Sequence, residues 1–250
     1  MIQEFKKANY TIVEFEEKAD VYVINTCTVT NMADRKSRQM LRRVKEINPE
    51  AIVVAVGCYA QVAKEELEKI PEIDLILGNN EKKDVITFTE KMLEARANKK
   101  ENEKVNKSIV SINVEEESES KIKNNIKKSN ITDVLHCEEY VDFGDVTFTE
   151  KTRAVIKVQD GCDRFCSYCI IPFARGHIRS RKPESVVSEI KKIAKQGIKE
   201  VVITGIHLAS YGRDFKEKEL YGLINLIEEI NKIEGIQRIR LRFLRAYADN

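Results

Sequence analysis

Three cysteines within eight residues constrain this chain more than any other feature of its sequence. Cys162, Cys166 and Cys169 stand in the segment CDRFCSYC, with three residues in the first gap and two in the second. A disulfide needs two of the three and strands the third. A zinc site usually closes such a cysteine pair with a second pair or with histidines, and His177 is a candidate fourth ligand. Three thiolates from one short loop can also hold three irons of a [4Fe–4S] cluster, which leaves one iron open for chemistry.

The residues around these cysteines resemble a known family. The segment GCDRFCSYCIIPFARG, residues 161–176, is similar to the cluster loop of the radical S-adenosylmethionine enzymes, and among them to that of the methylthiotransferases. The resemblance implies that Cys162, Cys166 and Cys169 hold a [4Fe–4S] cluster whose open iron binds S-adenosylmethionine. It also implies that the reduced cluster cleaves this cofactor to a deoxyadenosyl radical, and that Tyr168 lies against the adenine.

The composition excludes several classes of protein. The chain has 250 residues, of which 42% are hydrophobic and 34% charged, and its formal net charge is +2. These values are typical of a globular chain with one or two domains, and so small a net charge does not indicate a nucleic-acid partner by itself. No apolar run approaches a membrane span, and residues 1–10 lack the apolar stretch of a signal peptide. We therefore expect a cytoplasmic protein with no membrane partner, in which six cysteines favour metal or redox chemistry over disulfides.

Residues 1–95 alternate strand and helix signals. Apolar runs predict three buried strands over 21–24, 51–56 and 74–77, with amphipathic segments between them. Short apolar strands separated by helices predict a parallel sheet that is covered on both faces. We therefore expect a flavodoxin-like parallel α/β domain over residues 1–95.

Two further cysteines follow the first and second of these strands. Cys27 stands in INTCTVT and Cys58 in AVGCYAQ, at strand ends where open α/β sheets bind ligands. Nearby helix N-termini would favour their thiolate forms, whereas burial as structural cysteines is an equally common fate. Both segments resemble the N-terminal domain of the methylthiotransferases, which binds a second [4Fe–4S] cluster with three cysteines. The resemblance implies that Cys27 and Cys58 help to hold that cluster. The first cysteine of the family pattern is expected upstream of a stretch resembling residues 1–10, so this chain matches two of the three.

The segment from about residue 96 to residue 150 has a different character. Up to residue 130 it has no aromatic residue, proline or glycine, and it carries charge blocks such as Glu115–Glu117. Dense charge with low hydrophobicity does not offset the entropy of ordering, so we predict a flexible linker or solvated insertion over 96–150. His136 and Cys137 match no motif, and we expect both to be structural or exposed.

Residues 151–250 alternate strands and helices again. Strands are predicted over 153–158, 200–204 and 237–241, with helices between them over 183–196 and 219–233. This order implies right-handed parallel β/α units, with the active site at the carboxyl ends of the strands. The resemblance implies the start of a radical S-adenosylmethionine (β/α) barrel, incomplete here.

A second motif falls at the carboxyl end of the strand over 200–204. TGIHLASYG, residues 204–212, resembles the family segment that meets the methionine end of the cofactor, which implies that Gly205 lies near its amino or carboxylate group. His207 is a tempting general base, but a single histidine after a strand is more often structural, so no catalytic residue is assigned. The stretch from Arg175 to Lys182 is locally basic and would supply phosphate contacts to an RNA.

The leading hypothesis is a tRNA-modifying radical S-adenosylmethionine methylthiotransferase. The two motifs look most like the subgroup acting on N6-threonylcarbamoyladenosine, whose implied reaction replaces the C2 hydrogen of that adenosine, beside the anticodon, by a methylthio group. The implied partners are the tRNA anticodon stem-loop, a low-potential electron donor such as flavodoxin or ferredoxin, and a sulfur donor.

Two other hypotheses remain open. The first is an inactive, truncated remnant that still binds an iron–sulfur cluster, suggested by the missing first cysteine of the N-terminal pattern and by a barrel shorter than the family's. The sequence departs from the family pattern after Arg240-Leu241, which suggests truncation at that end as well. The second is a zinc-stabilised RNA-binding module.

Overall fold

The computed structural model describes residues 1–107, 128–142, 152–216 and 221–242. The chain divides into two compact units, Met1–Thr132 and Asp133–Asn250. Each unit is built on its own parallel sheet. No helix in the described ranges is both long enough and apolar enough to span a membrane.

The first unit contains a parallel sheet with its described strands in sequence order. These strands are β1 (Val21–Thr26), β2 (Ile52–Gly57), β3 (Leu75–Leu77) and β4 (Ser129–Asn130). Thr26 of β1 pairs with Gly57 of β2, so the two strands end side by side. The prediction of a parallel α/β domain is therefore confirmed.

Helices connect and cover this sheet. They are α1 (Ile2–Lys7), α2 (Asn31–Ile47), α3 (Cys58–Val62), α4 (Lys64–Glu68) and α5 (Val85–Lys107). Helix α2 begins where the Thr30 hydroxyl accepts a hydrogen bond from the Ala33 amide at 3.2 Å, and it ends at Ile47, two residues before Pro49. The amphipathic segment between the second and third predicted strands forms two short helices, α3 and α4, which meet at Ala63.

Both faces of the sheet are buried, as the unbroken apolar run of β2 predicts. Alternate residues of β2 point to opposite faces. Val53 packs with the side chains of α2 to α4, whereas Val54 packs on the opposite face with Phe5 of α1 and Val85 of α5. Burying a side chain of this size stabilises the fold by roughly 1.5–3 kcal/mol, which explains why short strands suffice.

The prediction of a flexible linker over 96–150 is wrong in two stretches. Helix α5 continues to Lys107, and Arg96 ties it to the sheet through an ion pair with Asp74 at 2.5 Å. Residues 129–130 then form β4, which pairs with β3. Local charge density did not decide the outcome, because the apolar start of α5 already packs on the sheet. Residues 131–142 are also described, and Val134 among them is buried, whereas residues 108–127 and 143–150 lie outside the described residues.

The second unit has a parallel sheet and a short antiparallel ribbon. Its strands are β5 (Arg153–Lys157), β6 (Gln159–Asp160), β7 (Arg179–Ser180), β8 (Glu200–Thr204) and β9 (Arg238–Arg242). The sheet has the order β5-β8-β9, and β6 pairs with β7 in the ribbon. The helices are α6 (Ile171–Arg175), α7 (Pro183–Lys195) and α8 (Leu223–Asn231). The helix predicted over 219–233 begins later than expected, and 217–220 lie outside the described residues.

Helices α7 and α8 cover one face of this sheet. Ile156 of β5 and Ile203 of β8 pack in the same buried cluster as Ile190 of α7 and Ile230 of α8. The opposite face leaves Val155 45% exposed. A parallel sheet with helices on one face has the layering of the first β/α units of a barrel.

Candidate functional site

The cysteine loop is closed at its base by two backbone contacts that only glycine permits. Gly161 follows β6 with φ of +71°, and a Cβ atom there would overlap the carbonyl oxygen of His177. Gly176 has φ of +76°, and a Cβ atom there would overlap the carbonyl oxygen of Val134. The Cys162 amide donates a hydrogen bond to the Gly176 carbonyl at 3.0 Å. The two ends of the loop are therefore held together before any ligand is considered.

The three thiols of this loop are free and reach its surface. Cys162 and Cys169 are half-buried and Cys166 is exposed. The Cys169 amide donates to the Cys166 carbonyl at 2.9 Å, which makes a turn between these two residues. Three cysteine thiolates on one accessible loop are the donor set that a [4Fe–4S] cluster takes. The residues present therefore fit the cluster.

His177 has a partner other than the cysteines. Its Nδ1 lies 2.6 Å from Oδ1 of Asp163, and the same oxygen accepts a hydrogen bond from the Ile178 amide at 3.3 Å. In the described ranges, no group of three or more histidine, cysteine, aspartate or glutamate side chains is placed to hold a single metal ion. Among these described residues, His177 thus bonds to Asp163 of the loop and is not grouped with the three thiols as a metal ligand.

The aromatic residues of the loop are placed differently from one another. Phe165 has φ of +44°, which is uncommon for a residue with a side chain. Its ring makes an edge contact with Phe173, with centroids 5.9 Å apart. Tyr168 is 86% exposed, so its ring is available to a ligand at the loop.

A buried carboxylate lies at the base of the loop. Asp160 accepts a hydrogen bond from the Gly161 amide at 3.0 Å, and its other oxygen lies 2.5 Å from Nζ of Lys157, 3.6 Å from Arg175 and 3.9 Å from Arg179. Burial raises the pKa of Asp160, but these three cations outweigh the burial, so its pKa lies below the usual range. The charged Asp160 side chain therefore links β6 to Arg175 at the end of α6 and to Arg179 at the start of β7. No motif in the sequence indicates this cluster.

The basic stretch from Arg175 to Lys182 is largely internal, so its prediction as a phosphate-binding surface is wrong for two of its arginines. Arg179 is 2% exposed. Arg181 is buried, donates to Asp142 at 2.8 Å and pairs with Glu189. These guanidinium groups balance buried carboxylates of the same unit. Lys182 remains exposed.

The turn after β8 lies beside the start of the cysteine loop. Thr204, the last residue of β8, pairs with Lys157 of β5, so Gly205 follows next to Gln159. The His207 amide donates to Oε1 of Gln159 at 2.8 Å. The structure thus brings together two segments that the sequence analysis singled out separately, Gly205 and the cysteine loop.

His207 itself is a buried residue of the turn. It is 3% exposed, and its Nδ1 lies 2.6 Å from the Ser210 hydroxyl. This is the structural role that the sequence analysis favoured over a general base.

The two cysteines of the first unit lie at the ends of neighbouring strands. Cys27 directly follows β1 and is exposed, whereas Cys58 begins α3 and is buried. Gly57 has φ of +112°, and a Cβ atom there would overlap the carbonyl oxygen of Thr26. The register of β1 and β2 therefore places both cysteines at the same edge of the sheet.

An asparagine from a third strand joins this edge. Asn79 lies two residues after β3, and its Nδ2 donates to Sγ of Cys58 at 3.7 Å. An amide that follows a strand carries no sequence signal by which it could have been found. The first unit contains two cysteines, Cys27 and Cys58, since the next one along the chain, Cys137, lies in the second unit. That these two help to hold a second [4Fe–4S] cluster stays a prediction.

His136 and Cys137 form local contacts. Nδ1 of His136 lies 2.9 Å from Asp133, and the Cys137 thiol donates to the Asp133 carbonyl at 3.4 Å. The short 3-10 helix Val134–His136, which Cys137 follows, packs against α6.

Comparison with known families matches two segments of the chain. Residues 1–78 match the family described as uncharacterized protein family UPF0004, and residues 156–243 match the radical SAM superfamily. The first match covers the sheet edge with Cys27 and Cys58. The second covers the cysteine loop and Gly205.

Individual relatives align with both units. The threonylcarbamoyladenosine tRNA methylthiotransferase of Aquifex aeolicus is 41% identical over 95% of this chain and 50% of its own length. The enzyme of the same description from Bacillus subtilis is 36% identical over 98% of this chain and 47% of its own. A tRNA-2-methylthio-N(6)-dimethylallyladenosine synthase of Dictyoglomus thermophilum is 33% identical over 92% of this chain and 46% of its own. The chain thus spans about half the length of these curated relatives. Over both of its matched segments, the chain is thus similar to tRNA methylthiotransferases.

Proposed function

We propose that this chain acts in tRNA modification, adding a methylthio group to C2 of N6-threonylcarbamoyladenosine beside the anticodon. The observation that carries the proposal is the joining of the three-thiol loop to the Gly205 turn at the carboxyl ends of the paired strands β5 and β8. Ligands of parallel β/α folds bind at this end of the sheet.

The residues of the second unit divide the work among themselves. Cys162, Cys166 and Cys169 would hold a [4Fe–4S] cluster, which when bound supplies an open coordination position and the electron that cleaves S-adenosylmethionine. Tyr168 offers an exposed ring on which the adenine can stack. The turn at Gly205 lies beside the loop, and we assign its backbone to the amino or carboxylate group of the cofactor.

The substrate is inferred from the relatives. Two of them, 41% and 36% identical, are named for threonylcarbamoyladenosine in tRNA, and a third, 33% identical, is named for dimethylallyladenosine. The order of identity favours threonylcarbamoyladenosine. The proposed partners are the tRNA anticodon stem-loop, a low-potential electron donor such as flavodoxin or ferredoxin, and a sulfur donor. The proposed location is the cytoplasm, where these partners occur.

The test is anaerobic reconstitution of the chain with iron and sulfide, followed by incubation with S-adenosylmethionine, a reductant and a sulfur source. Two tRNA substrates, carrying threonylcarbamoyladenosine or dimethylallyladenosine, are digested to nucleosides and analysed by mass spectrometry. We expect deoxyadenosine and a methylthio product on the first tRNA. A chain in which Cys162, Cys166 and Cys169 are all changed to alanine is the control and should give neither.

The outcomes separate the alternatives. Product on the dimethylallyladenosine tRNA alone would refute the substrate assignment while keeping the reaction class. Deoxyadenosine without any methylthio nucleoside would favour a chain that binds a cluster and cleaves the cofactor but does not transfer sulfur. Bound zinc without iron or sulfide would overturn the proposal.

A further inference from the structure

One buried side chain touches both halves of the proposed site. Gln159 is fully buried. Its Nε2 donates hydrogen bonds to the carbonyls of Asp160 at 2.7 Å and Gly161 at 2.8 Å, immediately before the first cysteine. Its Oε1 accepts a hydrogen bond from the His207 amide at 2.8 Å, in the turn after β8. The Gln159 carboxamide therefore links the start of the cysteine loop to the turn after β8.

The chemistry of these three bonds requires a primary amide. Two carbonyl oxygens need two N–H donors, and one backbone N–H needs an acceptor, and only glutamine or asparagine carries both in one planar group. Asparagine is shorter by one methylene, and glutamate in its charged form accepts only. Buried backbone groups left without partners are costly. The orientation of the Gln159 amide is thus set by its surroundings.

The space for this amide is provided by Gly205. A Cβ atom at Gly205 would lie 2.8 Å from Oε1 and 3.0 Å from Cβ of Gln159. Only a residue without a side chain lets the carboxamide reach the His207 amide across this turn. Gln159 and Gly205 are therefore complementary in shape, and the distance between the cysteine loop and the turn depends on both.

We propose that Gln159 is a positioning residue for the S-adenosylmethionine site, holding the Gly205–His207 turn in register with the cysteine loop. The inference rests on the proposed function, because it takes these two segments as the ones that meet the cofactor. Gln159 is buried and acts through the backbone of its neighbours rather than through the cofactor. The three thiols belong to a loop with its own closure between Cys162 and Gly176, so loading of the cluster does not depend on this amide.

The test compares the reconstituted full chain with three variants. Gln159→Glu removes both donors, and Gln159→Met keeps the length and apolar stem without polar atoms. Gln196→Glu is the matched control, since Gln196 is an exposed residue at the end of α7 in the same unit. Iron and sulfide content are measured first. S-adenosylmethionine is then titrated against the reduced cluster, with the electron paramagnetic resonance spectrum as the signal.

We expect both Gln159 variants to keep the iron and sulfide content of the unmodified chain but to bind S-adenosylmethionine at least tenfold more weakly. At saturating cofactor their spectrum should also differ from that of the unmodified chain, which a general loss of stability does not produce. Gln196→Glu should match the unmodified chain in all three measurements.

Three results would overturn the inference. Affinity within twofold of the unmodified chain in a folded, cluster-loaded variant would show that the amide does not position the cofactor. Loss of the cluster from a folded variant would make Gln159 a residue of the cysteine loop alone. Failure of both variants to fold would make it a requirement of the fold. If the unmodified chain itself does not respond to S-adenosylmethionine, the proposed function fails instead, so the two failures are distinguishable.

Discussion

The two cysteine sites of this chain are built in opposite ways. In the second unit three thiols share one loop of eight residues, and the loop is closed by backbone contacts at its own ends. In the first unit Cys27 and Cys58 are 31 positions apart and meet only through the register of β1 and β2. A site held within one loop depends on local chain geometry, whereas a site at strand ends depends on the whole sheet. A substitution in the cysteine loop should therefore affect mainly the loop, whereas a substitution at the strand ends should affect the sheet of the first unit.

The largest expected effect comes from removing the thiols themselves. Changing Cys162, Cys166 and Cys169 to alanine should abolish the cluster that responds to S-adenosylmethionine, because no other side chain of the loop replaces a thiolate. Changing Cys27 and Cys58 to alanine should leave that cluster intact. Iron content, visible absorbance and the response to the cofactor measure both. Full iron content in the triple variant would show that the metal lies elsewhere.

The next effect concerns the buried charge beneath the loop. Asp160→Asn removes the carboxylate that Lys157, Arg175 and Arg179 share, and because Lys157 is 35% exposed the cost should lie below the about 3–5 kcal/mol of a fully buried pair. Because the pKa of Asp160 is lowered in the folded chain, its contribution is present above the unfolded value near 3.9 and is lost as the pH falls through the folded value.

The free energy of unfolding of the second unit, measured in urea at neutral pH and at a series of pH values descending from about 3.9, checks this prediction. The unmodified chain and Asp160→Asn should differ at neutral pH and converge in acid. Asp163→Asn, at an exposed position of the same loop, is the control and should change stability by less than about 1 kcal/mol. A constant difference at all of these pH values would contradict the ion-pair role.

Each cysteine site has a glycine with positive φ directly before one of its cysteines, Gly161 before Cys162 and Gly57 before Cys58. Gly197 also has a positive φ but lies at neither site, so it serves as the reference. Gly197→Ala should lower the free energy of unfolding by about 1–2 kcal/mol through backbone strain, because the φ of Gly197 is +83°. No steric overlap adds to this cost, since no atom lies within 4 Å of a new Cβ. Gly161→Ala and Gly57→Ala should each cost more than Gly197→Ala, because their Cβ atoms would also overlap a backbone oxygen. Thermal unfolding of each variant measures the cost.

Gly161→Ala and Gly57→Ala should also differ in which part of the chain they affect. Gly161→Ala should weaken retention of the cluster in the loop, whereas Gly57→Ala should destabilise the first unit and leave cluster retention unchanged. Equal loss of iron from both variants would show that the two sites are not independent.

The smallest effect is expected at the surface of the loop. Tyr168→Ala should weaken S-adenosylmethionine binding by about 0.5–1.5 kcal/mol if the ring stacks on the adenine. Its unfolding should be unchanged, because Tyr168 is 86% exposed. Tyr168→Phe keeps the ring and should bind as the unmodified chain does. Equal affinity of the alanine and phenylalanine variants would remove Tyr168 from the site.

Local sequence signals predicted much of this molecule. The strand over 200–204 has the predicted bounds, and the three-cysteine spacing drew attention to the loop, whose metal stays a prediction. Both features are encoded within a few neighbouring residues. The two-residue strand β4 and the continuation of α5 past Arg96 were not predicted, because packing on a distant sheet stabilises them.

Polar contacts between distant residues account for the other errors. Arg181 reads as part of a basic surface in the sequence, yet its carboxylate partners Asp142 and Glu189 are 39 and 8 positions away. The Gln159 amide likewise meets a backbone group 48 positions later. Neither periodicity nor composition reports such pairings, since each depends on which strands become neighbours.

The contact between Val134 and Gly176 bears on where this unit can be cut for laboratory work. The radical SAM match begins at residue 156, but Val134 is 1% exposed and its carbonyl sits where a side chain of Gly176 would be. Asp142 in the same segment accepts from the buried Arg181. A clone that begins at residue 156 would lack Val134, which packs against Gly176 at the base of the cysteine loop. It would also lack Asp142, whose carboxylate pairs with the buried guanidinium of Arg181. For crystallisation or isotope labelling, the second unit should begin at Asp133.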